Sequence, residues 1–454
     1  MSRGAADAPH AEHVKHATDV KHATDVMVTG LGFCLPGGDR PVLDCDDLWD
    51  VISTGRSLLE RDGFYHGIVD LSQEMFDEHF PEIPQRHQRH YASVHRYGLV
   101  AMAQACADAG LDFRAGDLSQ SAVLTARAGV DSNFDSYLAW YRADPENLTA
   151  EEAKALFVRL LIAGNSNDVG NVQAALTRTS GPTFSATCGC ASSAVLLGIA
   201  RRMIASGELE TAMVTGVDVF DVDRMRHSER LRIVAEAGGI TATHNSAPPT
   251  APRFDRPMRP YDRRSDCVNF GDGAVTVILE SREHAERRGA RTHGRILGQC
   301  TTRCGLPSAI AIDDSGDSIV RAVNGCLPAG LDVRDIPYIN GGSEGDPLFT
   351  LMEANAVNTL YGTGAGDVLV SSQEACFGHS GAPLGALGVA STLTMMRHGA
   401  IAPTANCEYP ADVCTFDPVP GNTPRDLDLD VALSFNYQVG GVTSALLLGA
   451  PDDH

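Results

Sequence analysis

An α/β fold is the class this sequence predicts, and three observations carry the prediction. Short apolar runs of strand type alternate with stretches of helical spacing along most of the chain. One alternation runs from Thr183-Phe184-Ser185 through a turn into Ala194-Val195-Leu196-Leu197-Gly198-Ile199-Ala200, a helix apolar almost all round. Such a helix belongs in the middle of a large core. Near residue 285 the pattern begins again, strand then helix then strand. With 454 residues, 43% of them hydrophobic, the chain can build such a core, and its length suggests two or three domains.

Residues 1–24 are polar and repetitive, and Lys15–Val20 is repeated at once as Lys21–Val26. A tandem hexapeptide ahead of the first strand reads as a slipped duplication, or as an alternative start near Met27. The stretch predicts a disordered tail. His10, His13, His16 and His22 are metal-ligand types, but in so polar and repetitive a stretch they read as part of the disordered tail. Val26–Leu31 is the first strand. Residues 34–94 are expected to form an irregular cap, with Arg86-His87-Gln88-Arg89-His90 exposed. From His95 to Gly110, Leu99, Val100, Met102, Ala103 and Cys106 recur at helical spacing, and Gly110 ends the helix. Ser121–Ala128 reads as a strand and residues 133–170 as mixed helix and loop, with Trp140 and Tyr141. Asn171–Leu176 then leads into the Thr183 segment.

Glu210–Asp218 is a buried strand. Residues 222–258 are a long polar stretch ending in the Pro-rich loop Ala247–Pro252, and so long a loop in a compact domain is usually functional or mobile. Gly271–Leu279 and Gly294–Gln299 are further strands. A helix over Ser315–Leu327 and a strand over Tyr338–Gly341 follow.

The chemistry points to the turn before the apolar helix. Cys190 lies there, with Ser192 and Ser193 in the first helical turn. Free N–H groups and the positive end of the helix dipole favour a thiolate at such a place. The geometry is analogous to the nucleophile elbow of serine hydrolases. The commoner role for a free thiol is that of a small buried hydrophobe. Cys188 competes as nucleophile. It lies two residues earlier, inside the presumed strand, so its side chain is expected to point away from the turn.

A net charge of −22 argues against non-specific binding to nucleic acid or to an anionic membrane. Twelve cysteines are scattered without a disulfide framework and no signal peptide is visible, so reduced thiols in a cytoplasm are expected. Cys300 and Cys304 have metal-ligand spacing, but no second pair follows, and no metal is expected. No apolar run approaches the length of a membrane span.

Gly181-Pro182, a cysteine eight residues after that proline, then small residues and an apolar helix resemble the nucleophile segment of β-ketoacyl synthases. Further motifs follow in the family's order. Asp25–Phe33 resembles its opening strand. Arg259-Pro260-Tyr261-Asp262, Asp266 and Gly271-Asp272-Gly273-Ala274 with Ile278-Leu279-Glu280 resemble its central signature. Gly378-His379 with Gly381, Ala382 and Gly388 resembles its second histidine motif. Pro403-Thr404-Ala405-Asn406 and Gly440-Gly441 resemble its tail. The resemblance implies the thiolase fold: two similar halves around a five-layered α/β/α/β/α core. It divides the chain into a tail at 1–24, a half carrying the nucleophile at 25–284 and a half carrying the histidine motif at 285–451. It implies that residues 133–170 line the substrate tunnel and that Asn171–Pro182 forms the edge of a homodimer. It also implies a carrier-protein partner that brings the acyl chain on its phosphopantetheine arm, with no other cofactor. The acidic chain leaves room for a local basic patch to receive such a carrier.

A ketosynthase holds an acyl chain on its cysteine as a thioester while two histidines assist decarboxylation of a malonyl unit. His379 matches the second histidine. The first is absent. The family reads His-Gly-Thr-Gly-Thr, with Asp eight and Glu eleven residues after the histidine. Glu353-Ala354 sets the register and puts Gly342 at the histidine position and Thr350 at the aspartate position. The family lysine lies five residues before the second histidine, where this chain has Glu374. Gly-Phe-Gly-Gly has become Gln438-Val439-Gly440-Gly441. A donor and a cation are thus exchanged for Gly342 and Glu374, which predicts weak decarboxylation.

Glu344, in a Gly-rich turn two residues beyond Gly342, is then the candidate base for removing a proton α to the thioester. The enolate can attack a carbonyl in the same chain, and the alkoxide so formed can leave as a lactone. The backbone N–H groups of Cys190 and Val439 are the expected oxyanion hole, with His379 a further donor. In this the sequence resembles the stand-alone ketosynthase-like bicyclases of γ-lactam-β-lactone (salinosporamide-type) biosynthesis. The alternatives are a non-elongating ketosynthase that passes acyl chains on, an ordinary β-ketoacyl-carrier synthase, and a silent partner subunit of a type II polyketide synthase.

Overall fold

The computed structural model of the protein describes residues 25–451, apart from residue 62 and residues 129–130, 238–254 and 308–311. Ten strands build its main sheet. Five come from the first half of the chain: β1 (Val26–Cys34), β2 (Ala122–Ala126), β3 (Thr183–Ala186), β4 (Thr211–Asp218) and β5 (Gly273–Ser281). Five come from the second: β6 (Gly294–Arg303), β7 (Tyr338–Asn340), β8 (Leu369–Ser371), β9 (Val431–Tyr437) and β10 (Val442–Gly449).

The sheet runs β8-β7-β9-β10-β6-β1-β5-β4-β2-β3. Outward from the middle, each half reads first, fifth, fourth, second, third. The directions repeat as well. In the first half β2 is parallel to β3 and β4, while β5 is antiparallel to β4 and β1. In the second half β7 is parallel to β8 and β9, while β10 is antiparallel to β9 and β6. The halves join where Val26–Val28 of β1 pairs antiparallel with β6. The duplication is therefore written in the connectivity.

Two helices lie between the halves, α6 (Ser192–Ala205) and α11 (Leu384–His398), each packing on the other and on strands of both halves. α2 (Ser93–Ala109) and α5 (Asp168–Thr177) cover the outer face of the first half, and α8 (Asp317–Cys326) and α9 (Pro347–Tyr361) that of the second. The order of layers is α/β/α/β/α. All nine residues of β1 are buried, as a strand covered on both faces requires. The central helices approach so closely that a Cβ at Gly385 would fall 2.4 Å from the Ala194 backbone nitrogen. That contact sets the start of α6, which carries the nucleophile turn, beside the start of α11, which carries the histidine turn.

Several expectations need correction. The cap over residues 34–94 is not wholly irregular: it holds α1 (Cys45–Ile52) and short helices at Gln73–His79 and Gln85–Gln88. Asp44 caps α1 by accepting from the Asp46 and Asp47 N–H groups, a local signal readable in the sequence. Residues 133–170 fall largely into two helices, α3 (Asp131–Arg142) and α4 (Ala150–Ala163), the second opened by a Thr149–Glu152 capping box. The polar stretch from 222 begins as a helix, α7 (Val222–Ala237), and its Pro-rich part lies outside the described residues, as does the tail with its four histidines. Cys188 is not in a strand, because β3 ends at Ala186. Gly110 does end α2, with φ +66°.

Candidate active site

β3 stops at Ala186 and α6 starts at Ser192, so Thr187–Ala191 make the turn, with Gly189 at φ +55°. Ser192 Oγ accepts from the Cys188 N–H at 2.7 Å and donates to the Gly189 carbonyl at 2.5 Å, which fixes the loop around Cys190. Ser193 ties this turn to the histidine turn: its Oγ donates to the Ala382 carbonyl at 2.5 Å and accepts from the Ala386 N–H at 3.0 Å. Buried Asp218, at the end of β4, accepts from the Ala382 N–H at 2.8 Å. His379 stands between α11 and the short helix α10 (Glu374–Phe377), on a turn whose Gly378 and Gly381 have φ of +90° and +71°. Its own N–H donates to the Asn269 carbonyl at 2.7 Å.

The structure brings Cys190 and His379 together. Cys190 Sγ lies 2.8 Å from His379 Nε2, and on the far side of the ring His379 Nδ1 lies 2.7 Å from Glu374 Oε2. Glu374 is thus the direct partner of the imidazole, a role the sequence reading did not give it. Burial opposes a charge on His379, but Cys190 and Glu374 outweigh it and hold the imidazole pKa well above its ordinary value. Nucleophile, base and orienting carboxylate stand in one chain, the arrangement that activates cysteine and serine nucleophiles. Cys188 has no place in it, and burial raises its thiol pKa. Val439 sits in the turn between β9 and β10. The neighbouring Gln438 side chain lies so close to Gly189 that a Cβ there would fall 1.8 Å from its Oε1. The two loops expected to supply the oxyanion hole therefore face each other.

Glu344 is buried, 5% exposed, and its Oε2 has no hydrogen-bond partner among the described residues. Burial raises its pKa well above the usual carboxylate value; His379 opposes the rise, and Asp346 and Glu374 add to it. The side chain is thus within electrostatic reach of the imidazole. This setting favours the neutral acid. In the Gly-rich turn that carries Glu344, Gly345 has a positive φ, +128°. Gly341 and Gly342 are needed for space instead: a Cβ on Gly341 would fall 1.9 Å from Tyr261 Oη, and one on Gly342 2.9 Å from the Phe435 carbonyl oxygen.

Residues 23–285 match the family described as β-ketoacyl synthase, N-terminal domain, and residues 293–408 match β-ketoacyl synthase, C-terminal domain. The chain belongs to the β-ketoacyl synthase family. It is 26% identical over 437 residues to the oxytetracycline polyketide putative β-ketoacyl synthase 1 of Streptomyces rimosus, covering 94% of this chain and 97% of that one. It is 28% identical over 454 residues to a putative polyketide β-ketoacyl synthase 1 of Streptomyces halstedii, covering 94% and 98%. Among solved structures it resembles the ishigamide ketosynthase/chain length factor, with a TM-score of 0.78 at 22% identity, covering 94% of this chain and all of that one. It also resembles the ketosynthase of the AntDE:AntF complex, with a TM-score of 0.73 at 19% identity and the same coverage.

Glu353, which sets the register of the first histidine motif, lies directly against Gly342. Glu353 is fully buried. Its Oε1 accepts from the Gly342 N–H at 2.8 Å and the Tyr437 hydroxyl at 3.1 Å, and its Oε2 from the Tyr261 hydroxyl at 2.5 Å. Burial pushes its pKa up, against those donors, to about 7. Below its unfolded pKa of 4.5 both folded and unfolded chains hold this proton; between 4.5 and about 7 the folded chain alone holds it. The group therefore adds stability at low pH that is lost as pH rises through that window. Glu353→Gln should fall less in melting temperature between pH 5 and pH 8 than the wild type does, as differential scanning calorimetry would record. An equal fall in both would remove Glu353 from the account.

Proposed function

We propose that this β-ketoacyl synthase homologue takes an acyl chain from a carrier protein onto Cys190 and, without decarboxylating malonate, releases it by intramolecular aldol closure and lactonisation. The observation that carries this reading is the Cys190–His379–Glu374 chain of hydrogen bonds beside a site that has glycine for the first histidine. Glu374 inverts the charge of the lysine and serves the imidazole instead of drawing in a malonyl carboxylate. A carrier-borne substrate is supported by the similar ketosynthase solved in complex with its type II acyl-carrier protein.

In the proposed sequence His379, held by Glu374, takes the proton of Cys190; the thiolate attacks the carrier thioester, the C–S bond to phosphopantetheine breaks, and His379 gives that proton to the departing sulfur. Glu344, once ionised, takes the α-proton. The enolate carbon attacks a ketone farther along the chain. The alkoxide closes on the thioester carbonyl, the C–S bond breaks, and the proton held by Glu344 returns to the Cys190 sulfur.

A 6-oxoheptanoyl thioester suits the test, because its C2 can close a five-membered ring on C6 and the C6 oxygen can then close on C1. Intact-mass analysis should show the adduct on Cys190, then a product lighter by one water than the free acid, with no carbon dioxide from malonyl carrier above background. Robust carbon dioxide release would return the protein to ordinary elongation. Glu344→Gln should leave the adduct intact and slow release by ~10²-fold or more. Release by Glu344→Gln at the wild-type rate would sink its role as base.

We also propose a homodimer. β3 is the last strand at one end of the sheet, and α3 and α4 nearby expose Tyr137, Trp140, Tyr141, Phe157 and Leu161. An open edge strand with apolar surface beside it favours pairing with a second copy. Light scattering at micromolar concentration should return twice the chain mass, and a monomer would contradict the proposal.

A further inference from the structure

A residue from another strand lies beside the position of the missing first histidine. A Cβ on residue 342 would fall 3.3 Å from both Cε1 and Cζ of Tyr437, so that ring borders the position. Tyr437 ends β9, is 6% exposed, and stacks on Phe349 with ring centres 4.7 Å apart. Its hydroxyl is 3.1 Å from Glu353 Oε1, the same oxygen that accepts the Gly342 N–H. Burial, and after it the charges of Glu353, Tyr261, Glu344 and Glu374, hold the phenol pKa well above its ordinary value. The Tyr437 hydroxyl and the Gly342 N–H thus share one acceptor beside the position where the family has its first histidine.

We propose that Tyr437 takes over the donor role of the missing histidine, its hydroxyl giving a hydrogen bond to the substrate ketone oxygen as that oxygen gains charge, with Glu353 holding the phenol in place. This rests on the cyclisation reading. A phenol can do what an imidazole did here because burial, together with Glu353 and its neighbours, keeps it protonated. Hydrogen-bond donation leaves the alkoxide free to close the lactone, whereas full protonation would stop it. While Glu353 is ionised it engages the single phenol proton. When Glu353 is protonated it can donate to the phenol oxygen, and the Tyr437 hydroxyl is released toward the substrate.

Tyr437→Phe keeps the ring, its volume and its stack on Phe349 and removes only the hydroxyl. The test follows the 6-oxoheptanoyl adduct on Cys190 by intact mass, measuring its formation and its loss separately. Formation should stay within about twofold of wild type, and loss as lactone should slow by roughly 10²-fold, the usual cost of one preorganised donor. Gly342→Ala, which crowds the ring, should slow loss in the wild-type background and add little to Tyr437→Phe. Loss at the wild-type rate in Tyr437→Phe overturns the proposal. So does an equal slowing of formation and loss together with a lowered melting temperature, which would make the hydroxyl structural. If the wild-type adduct leaves as free acid alone, the cyclisation reading has failed. In that case an unchanged rate of hydrolysis in Tyr437→Phe rejects Tyr437 as a donor, and a slowed one retains it.

Discussion

Cys190→Ala will take up no acyl group, and Cys188→Ala will acylate at close to the wild-type rate. The two cysteines are separated by a single glycine, yet their surroundings differ in every respect that matters to a nucleophile. Cys190 has an imidazole 2.8 Å from its sulfur and lies just before a helix, where backbone N–H groups and the helix dipole stabilise negative charge. Cys188 has a thiol whose pKa burial raises, and its backbone N–H is occupied by Ser192 Oγ. Peptide mapping after incubation with an acyl thioester reads the outcome directly. An adduct that persists in Cys190→Ala and vanishes in Cys188→Ala would reverse the assignment. Alkylation with iodoacetamide gives an independent check, since the thiol paired with His379 should be modified far faster than the other thiols.

Much of the frame was legible because it is encoded locally. The apolar run after Cys190 could only be an inner helix, and Gly110, with nothing to oppose a positive φ, had to end one. The irregular cap hid its helices because they are short and only partly apolar, although Asp44 and Ser72 both mark N-caps in the sequence. The restart of the strand–helix–strand pattern near residue 285 hinted at the duplication, but periodicity alone could not establish it. It is a matter of strand order and direction, which depends on pairings between residues far apart in the chain. The site divides in the same way. The proximity of Cys190 and His379 was anticipated from motifs on two turns. The partnership of Glu374 with His379 was not, although the five-residue separation across a tight helical turn was a signal that could have suggested it. Tyr437 was invisible, because only the folded chain shows that its ring borders position 342.

Glu374→Gln should slow acylation of Cys190 by roughly 10²- to 10⁴-fold, the range expected when the acid that orients a catalytic histidine is made neutral. The substitution keeps the size and reach of the side chain, so the loss isolates the charge. With Glu374 in place, burial works against a charged imidazole, but Cys190 and Glu374 outweigh it and hold the His379 pKa well above its ordinary value. Wild-type acylation should therefore be nearly flat across neutral pH. In Glu374→Gln one of the two supports of that charge is gone, and the rate should vary more steeply with pH. A family-like lysine is the sharper control. Glu374→Lys supplies the cation of the family pattern but repels the imidazolium and leaves residue 342 without a donor. It should acylate no faster than Glu374→Gln and should release no carbon dioxide from malonyl carrier. Stopped-flow acylation over a pH series measures all three proteins. A Glu374→Gln profile that superimposes on the wild type would mean that the 2.7 Å contact with His379 Nδ1 does nothing for the nucleophile. Decarboxylation recovered by Glu374→Lys alone would mean that a single charge, and not the glycine at 342, separates this protein from an elongating synthase.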